Sequence, residues 1–148
     1  MVSARFTLRE DLTYGIFDER GGLVGGTGLH RFDFDAGSFE VGYWVRTDRH
    51  RRGIGRRAAQ AMLALAFRRL RAARVEIRVD VMNTASAAIP RGLGFVHEGT
   101  LRRDSLAPNG TLRDTMVFAM IAEEFEGAPW SADFALDVVN LAPHVALP

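Results

Sequence analysis

The run Arg51-Arg52-Gly53-Ile54-Gly55-Arg56 is the part of this chain best suited to hold an anion. Glycines 53 and 55 remove side chains where a backbone can turn sharply and come close to a ligand. The apolar spacing that follows is helical, so the first helical turn would offer N–H groups that have no partner inside the helix. Flanking arginines add charge-assisted hydrogen bonds, which suits this end of the helix to phosphate and makes it a pyrophosphate cradle. A dinucleotide fingerprint would need a third glycine and an acid on the next strand, and a P-loop would need Gly-Lys-Ser/Thr after four spacers. Neither is present. Taken alone, Gly-x-Gly before a helix is also compatible with a tight turn beneath a solvated arginine face.

The elements around this turn follow from periodicity. Leu12 to Phe17 and Leu23 to His30 read as a hairpin joined by the turn-rich Asp18-Glu19-Arg20-Gly21-Gly22. Phe39, Val41, Tyr43 and Val45 alternate with Glu40, Gly42 and Trp44, which predicts a third strand. From Gly55 to Ala73 the apolar positions Ala59, Leu63, Ala66, Leu70 and Ala73 recur at helical spacing, opposite Arg57, Gln60, Arg68 and Arg71. Val75 to Val81 alternates as a strand directly afterwards, so strand, helix and strand make a βαβ unit with parallel strands. Asn83 or Thr84 can cap a short helix through Ile89, which Pro90 and Gly92 should end. Strands near Phe95 to Arg102 and Leu112 to Ile121 follow, joined by the turn Pro108-Asn109-Gly110. Residues from Ala122 on show no clear periodicity and read as a tail or docking segment.

Composition bounds the function classes. A chain of 148 residues with 47% hydrophobic and 25% charged residues fits one domain with an ordinary core. The absence of cysteine excludes a disulfide scaffold, a thiolate nucleophile and a sulfur-ligated metal. No apolar run approaches the ~18 residues of a membrane span, and the first residues lack the pattern of a signal peptide. A cytoplasmic protein is expected, with no membrane partner. Net charge is +1, yet ten of the 19 basic residues, all arginine, lie between Arg46 and Arg74, while Glu123, Glu124, Glu126, Asp133 and Asp137 make the tail acidic. A uniformly basic nucleic-acid binder would not look like this. His30, His50, His97 and His144 lack metal-ligand spacing, so no metal is expected.

The ordered set Glu40-Val41-Gly42-Tyr43-Trp44-Val45, Arg51-Arg52-Gly53-Ile54-Gly55, Asn83-Thr84-Ala85-Ser86, Leu93-Gly94-Phe95-Val96-His97-Glu98-Gly99, Asn109-Gly110 and Asp114 resembles the GNAT acetyltransferases, specifically the RimJ/RimL-like branch. The likeness covers roughly residues 10 to 122. It implies an α/β (α+β) fold, a twisted, mostly antiparallel mixed sheet splayed at a central parallel pair. Residues 1–122 would form that domain and 123–148 an acidic tail or docking segment. It further implies acetyl-CoA in the cleft, with the pantetheine arm on backbone groups near Trp44 and Val45. The pyrophosphate would lie on Arg51, Arg52, Gly53, Ile54, Gly55 and Arg56, and Asn83 and Ser86 near the thioester. The implied reaction is direct attack of a primary amine, belonging to a protein N-terminus or a small molecule. Glu40 would act as base or stay as an arginine-paired carboxylate, and Ser86 would donate a proton or support the short helix.

Three features depart from the family. His50 replaces the usual glutamine or arginine at the start of the phosphate motif, and it can still donate to phosphate. Pro90 stands where many members carry a tyrosine acid, five residues before Phe95. The strand and two helices that usually precede the hairpin have no counterpart, so a partner subunit, possible in a homodimer, or the tail is expected to cover that face; a truncated form is the alternative. Trp130, Phe134, Leu136, Val138, Val139 and Leu141 give the tail apolar material to dock. Tyr14 and Tyr43 read as packed strand residues in preference to acids, and Asp114 as an arginine partner or an amine contact. Two other classes stay open: a catalytically silent acyl-CoA-binding or regulatory module, and an RNA- or ribosome-associated protein using the arginine segment.

Overall fold

The computed structural model describes residues 11–135. Six strands form one sheet in the order β1-β2-β3-β4-β6-β5. They are β1 (Asp11–Phe17), β2 (Leu23–Asp33), β3 (Ser38–Val45), β4 (Arg74–Asp80), β5 (Val96–Leu106) and β6 (Leu112–Ile121). Helix α1 (Ile54–Ala64) connects β3 to β4, α2 (Thr84–Leu93) follows β4, and α3 (Ala122–Gly127) follows β6. Every neighbouring pair is antiparallel except β3 and β4, as the βαβ reading requires.

The alternation seen in the sequence becomes two unlike sheet faces. Phe39 and Val41 of β3, Val75, Ile77 and Val79 of β4, and Met116, Phe118 and Met120 of β6 pack with Ala59, Leu63 and Ala66 of the α1 segment and with Ala87 and Leu93 of α2. On the other face the intervening positions of β4, Arg74, Glu76, Arg78 and Asp80, are charged. Arg74 reaches both Glu76 (2.6 Å) and Glu98 (2.7 Å), and Arg113 stands 3.7 Å from Asp80.

Three boundaries differ from expectation. Regular α1 geometry stops at Ala64 and a wider π-type turn runs over Leu65–Arg69, where Leu70 N–H bonds Leu65 O at 3.1 Å and Ala72 N–H bonds Ala66 O at 2.9 Å. The exit into β4 demands this: Ala73 and Arg74 both give their N–H to Gly37 O, so the chain must unwind beside β3 with Arg71 in the left-handed region (φ 54°). Pro90 does not end α2, which continues to Leu93 and closes at Gly94 (φ 92°), where Phe95 N–H returns to Pro90 O at 3.0 Å. The tail begins with a helix that periodicity did not reveal. Glu124 caps it by accepting the Ile121 N–H at 3.0 Å, and Phe125 inserts into the common core.

The described part of the tail packs on its own chain. Trp130 gives its indole N–H to Leu93 O at 3.1 Å, and the Arg68 guanidinium reaches the carbonyls of Ser131 and of Phe134 (2.6 Å). Leu136, Val138, Val139, Leu141 and His144 lie outside the described residues.

Candidate functional site

The site grows from a parallel pair that is cut short. β3 and β4 share only Ser38↔Arg74, Phe39↔Val75 and Glu40↔Glu76, whereas β4 pairs with β6 as far as Asp80↔Thr115. Beyond Glu40 the strands therefore part, and one side of β3 is left without a ladder. Arg46 gives its N–H to Val24 O on the β2 side, and Trp44 pairs with Gly26. By alternation Tyr43 and Val45 turn their backbone groups into the gap, while those of Trp44 belong to the β2 ladder. His50 Nε2 lies 2.8 Å from Val45 O, so this ring nitrogen donates to the strand end instead of facing an anion.

At the mouth of the gap stands the arginine- and glycine-rich turn. Gly53 is the N-cap of α1 at φ 71°, no side chain caps the helix, and the bond from Arg57 N–H to Gly53 O is 3.0 Å. The N–H groups of Ile54, Gly55 and Arg56 thus begin the helix without intrahelical acceptors. Arg51 is also held in the left-handed region, at φ 61°. The two glycines have different causes. A Cβ on Gly53 would meet nothing within 4 Å, so glycine there serves the backbone angle; a Cβ on Gly55 would stand 2.9 Å from Ile89 Cδ1, so glycine there lets α1 and α2 touch.

The arginines also divide. Arg56 is spent on Gly92 O at 3.1 Å, at the C-terminal end of α2, so its side chain joins the helices and only its N–H faces the mouth. Arg46 pairs with Asp48, and Arg49 with Asp18 and Asp48. Arg51, Arg52 and Arg57 are exposed and form no ion pair among the described residues. Positive charge at the mouth therefore comes from these three and from the helix end.

On the helical side of the gap, Asn83 caps α2 by accepting the Ser86 N–H at 3.0 Å. Ser86 Oγ donates to the Tyr43 hydroxyl at 3.4 Å, and that hydroxyl donates to Ser86 O at 3.1 Å. Burial pushes the Tyr43 phenol above its ordinary value, with the Ser86 bond pulling the other way, so it is neutral at pH 7. Sequence reasoning took Tyr43 as a packed strand residue and missed this contact. The signal was Pro90: a proline leaves the carbonyl four residues earlier without its helical donor, and that carbonyl belongs to Ser86.

Glu40 faces the opposite side of β3, at the apex where pairing ends, so it and Ser86 flank the gap without touching. Its Oε2 is 3.3 Å from Arg31 Nε, with the carboxylate 18% exposed and the arginine 67%. Arg31 reaches it from a left-handed backbone (φ 48°) at the irregularity between His30 and Asp33. Asp114 forms no ion pair with an arginine side chain among the described residues: its Oδ1 accepts the backbone N–H of Arg103 at 2.7 Å and holds a bulge in β5. Among the described residues, no cluster of three or more His, Asp or Glu side chains could hold a metal ion, and no helix is long and apolar enough to cross a membrane.

Comparison with known proteins fits this geometry. The profile of the acetyltransferase (GNAT) domain matches residues 2–96. The Bacillus subtilis (strain 168) protein named ribosomal N-acetyltransferase YdaF is 35% identical over 107 residues, covering 72% of this chain and 58% of that protein. N-acetyltransferase p20 of Bacillus licheniformis is 30% identical over 112 residues, covering 76% of this chain and 62% of its own length. The chain thus spans about three fifths of the length of these relatives. A crystal structure of an acetyltransferase from T. thermophilus superposes with a TM-score of 0.75 at 26% identity, covering 84% of this chain and 65% of that one. With a profile match over most of its length and a sheet that opens at its one parallel pair, the chain belongs to the GNAT acetyltransferase family.

Proposed function

We propose that this chain transfers an acetyl group from acetyl-CoA to a primary amine, that of a protein N-terminus or a small molecule, by direct attack and without a covalent enzyme intermediate. The observation that carries the reading is the interrupted β3–β4 pair with an uncapped helix N-terminus at its mouth. From Val45 to Glu40 the strand advances five residues, roughly 16 Å at the usual rise, which suits an extended pantetheine arm. The residues fit such a ligand. Arg51, Arg52 and the N–H groups of Gly53, Ile54, Gly55 and Arg56 would hold the pyrophosphate, Val45 and the neighbouring Trp44 would line the arm, and Asn83 would orient Ser86. Bound acetyl-CoA supplies the activated acetyl group.

Within this reading Glu40 takes a proton from the acceptor ammonium, directly or through water, after loosening its half-exposed pair with Arg31. Ser86 gives a proton to the departing sulfur. The chemistry needs no metal. Residues 1–122 act as the transferase domain and 123–148 as a docking segment. A cytoplasmic location suits a chain without cysteine, and a homodimer is compatible with the fold.

A second reading, an acyl-CoA-binding module without turnover, draws on the Arg31 contact that occupies Glu40. Nucleic-acid binding has less support, because Arg46, Arg49, Arg56, Arg68 and Arg74 are committed within the chain. Isothermal titration with acetyl-CoA separates the first two readings from the third: no binding at millimolar ligand overturns both. If it binds, free-thiol release across a panel of amines and peptide N-termini decides, and release at background with every acceptor favours the silent module.

A further inference from the structure

The structure joins a proline, a carbonyl and two hydroxyls at one point of the gap. Pro90 lies inside α2 and has no N–H for the carbonyl of Ser86, four residues earlier. Helices bend or break at such a position unless another donor arrives. Here the donor is the Tyr43 hydroxyl, coming from β3 at 3.1 Å, and the same oxygen receives Ser86 Oγ at 3.4 Å. The phenol is held between two oxygens of one residue, with a hydrogen free to rotate between them. It stands on the gap side of β3, next to Val45 and under Gly55, where a Cβ on Gly55 would come 3.8 Å from the Tyr43 ring.

We propose that Tyr43 is a positioning residue that relays a proton through Ser86 to the leaving sulfur, in a chain whose α2 carries proline where a helix-borne tyrosine would otherwise stand. The inference rests on the transferase reading above. A phenol is a far stronger acid than a serine hydroxyl, even with burial holding Tyr43 above its ordinary value, so Tyr43 makes Ser86 a better donor. In this step the amine nitrogen bonds to the acetyl carbon and the carbon–sulfur bond breaks. Sulfur takes the Ser86 Oγ proton while Tyr43 replaces it with its own. The resulting phenolate is reprotonated from solvent, which receives the proton that Glu40 took from the amine. Burial of the ring disfavours a lasting phenolate and so favours its rapid reprotonation.

The test separates the relay from a mere cap on the Ser86 carbonyl. Tyr43→Phe removes both roles. Tyr43→Phe combined with Pro90→Ala restores a helical N–H to Ser86 O and leaves only the relay missing. We expect Tyr43→Phe to lower kcat by about 10²-fold with little change in the KM for acetyl-CoA, and the double variant to recover the melting temperature but not kcat. Ser86→Ala and Ser86→Ala with Tyr43→Phe should be equally slow, because the two hydroxyls act as one unit. The pH profile of kcat should lose its alkaline limb in the variant that carries both Tyr43→Phe and Pro90→Ala. Full recovery of kcat in that variant, or additive losses with Ser86→Ala, would overturn the relay. Absence of turnover by the unmutated protein, with acetyl-CoA bound, overturns the transferase reading and the relay with it, whereas active protein and an equally active Tyr43→Phe overturn the relay alone.

Discussion

Gly55 of α1 and Ile89 of α2 are in close contact: a Cβ at 55 would lie 2.9 Å from Ile89 Cδ1, so that terminal methyl would have to turn aside to admit it. The second glycine of the turn is thus a helix-packing residue, and α2 rests against the start of α1. Gly55→Ala should change stability by less than about 1 kcal/mol, because the Ile89 terminal methyl can turn aside and alanine favours the helix, whereas Gly53→Ala should cost about 1 kcal/mol through its left-handed backbone. Urea denaturation would rank the two. A larger loss at 55 than at 53 would show that Ile89 cannot turn aside.

Gly53 offers the cleaner test of the anion site, since its missing side chain points into open space. Gly53→Glu should fold, with only the backbone strain of the alanine variant, and should abolish acetyl-CoA binding by setting a carboxylate against the pyrophosphate. Arg51→Ala and Arg52→Ala should each weaken binding several-fold and make it less salt-dependent. Arg56→Ala should instead lower the melting temperature, because its side chain is spent on Gly92 O. Calorimetric titration beside a thermal melt checks all four. Unchanged affinity in Gly53→Glu would remove the pyrophosphate from this turn.

Glu40 should behave as a base restrained by Arg31. Glu40→Gln is expected to lower turnover, with a deficit that shrinks at high pH, where the amine is already deprotonated. Arg31→Ala frees the carboxylate from its 3.3 Å contact and should raise turnover modestly or leave it unchanged. Initial rates of thiol release across pH 6.5 to 9.5, a window chosen to bracket a typical α-amine near 8, decide the matter. A deficit independent of pH would assign Glu40 a purely structural carboxylate role.

How much of this was legible beforehand depends on the kind of physics each feature obeys. Period-two alternation in β3, β4 and β6 and the helical spacing of Ala59, Leu63 and Ala66 are properties of one segment, so the strands, α1 and the parallel pair could be read directly. The ordered motifs from Glu40 to Asp114 located the gap. What escaped depended on partners distant in sequence. The contact of the Arg56 side chain with Gly92 O, 36 residues away, could not be foreseen. The hydrogen bond from His50 Nε2 to Val45 O was equally out of view. Pro90 looked like a helix stop because the donor that rescues the helix, Tyr43, comes from another element. α3 lay hidden since its cap is a glutamate returning to the Ile121 N–H, with no Ser, Thr, Asp or Asn to announce it.

The charged sheet face predicts an acid limb in stability. The Arg74 guanidinium hydrogen-bonds Glu98 and holds its carboxyl below the ordinary range, and at the hairpin turn the N–H of Gly22, then that of Arg20, does the same for Asp18. A depressed folded-state pKa stabilises the fold at pH values above the unfolded value, near 4, and the contribution fades as pH falls through the lower folded value. Stability should therefore drop between about pH 5 and pH 2, and Glu98→Gln should flatten part of that drop. Because Glu98 is well exposed, its share is expected to be about 0.5 kcal/mol and smaller at high salt. Urea midpoints measured at pH 7, 4 and 3 for both proteins check the sign. An unmutated protein and a Glu98→Gln variant that lose stability in parallel on acidification would show that the Arg74–Glu98 contact contributes nothing to the fold.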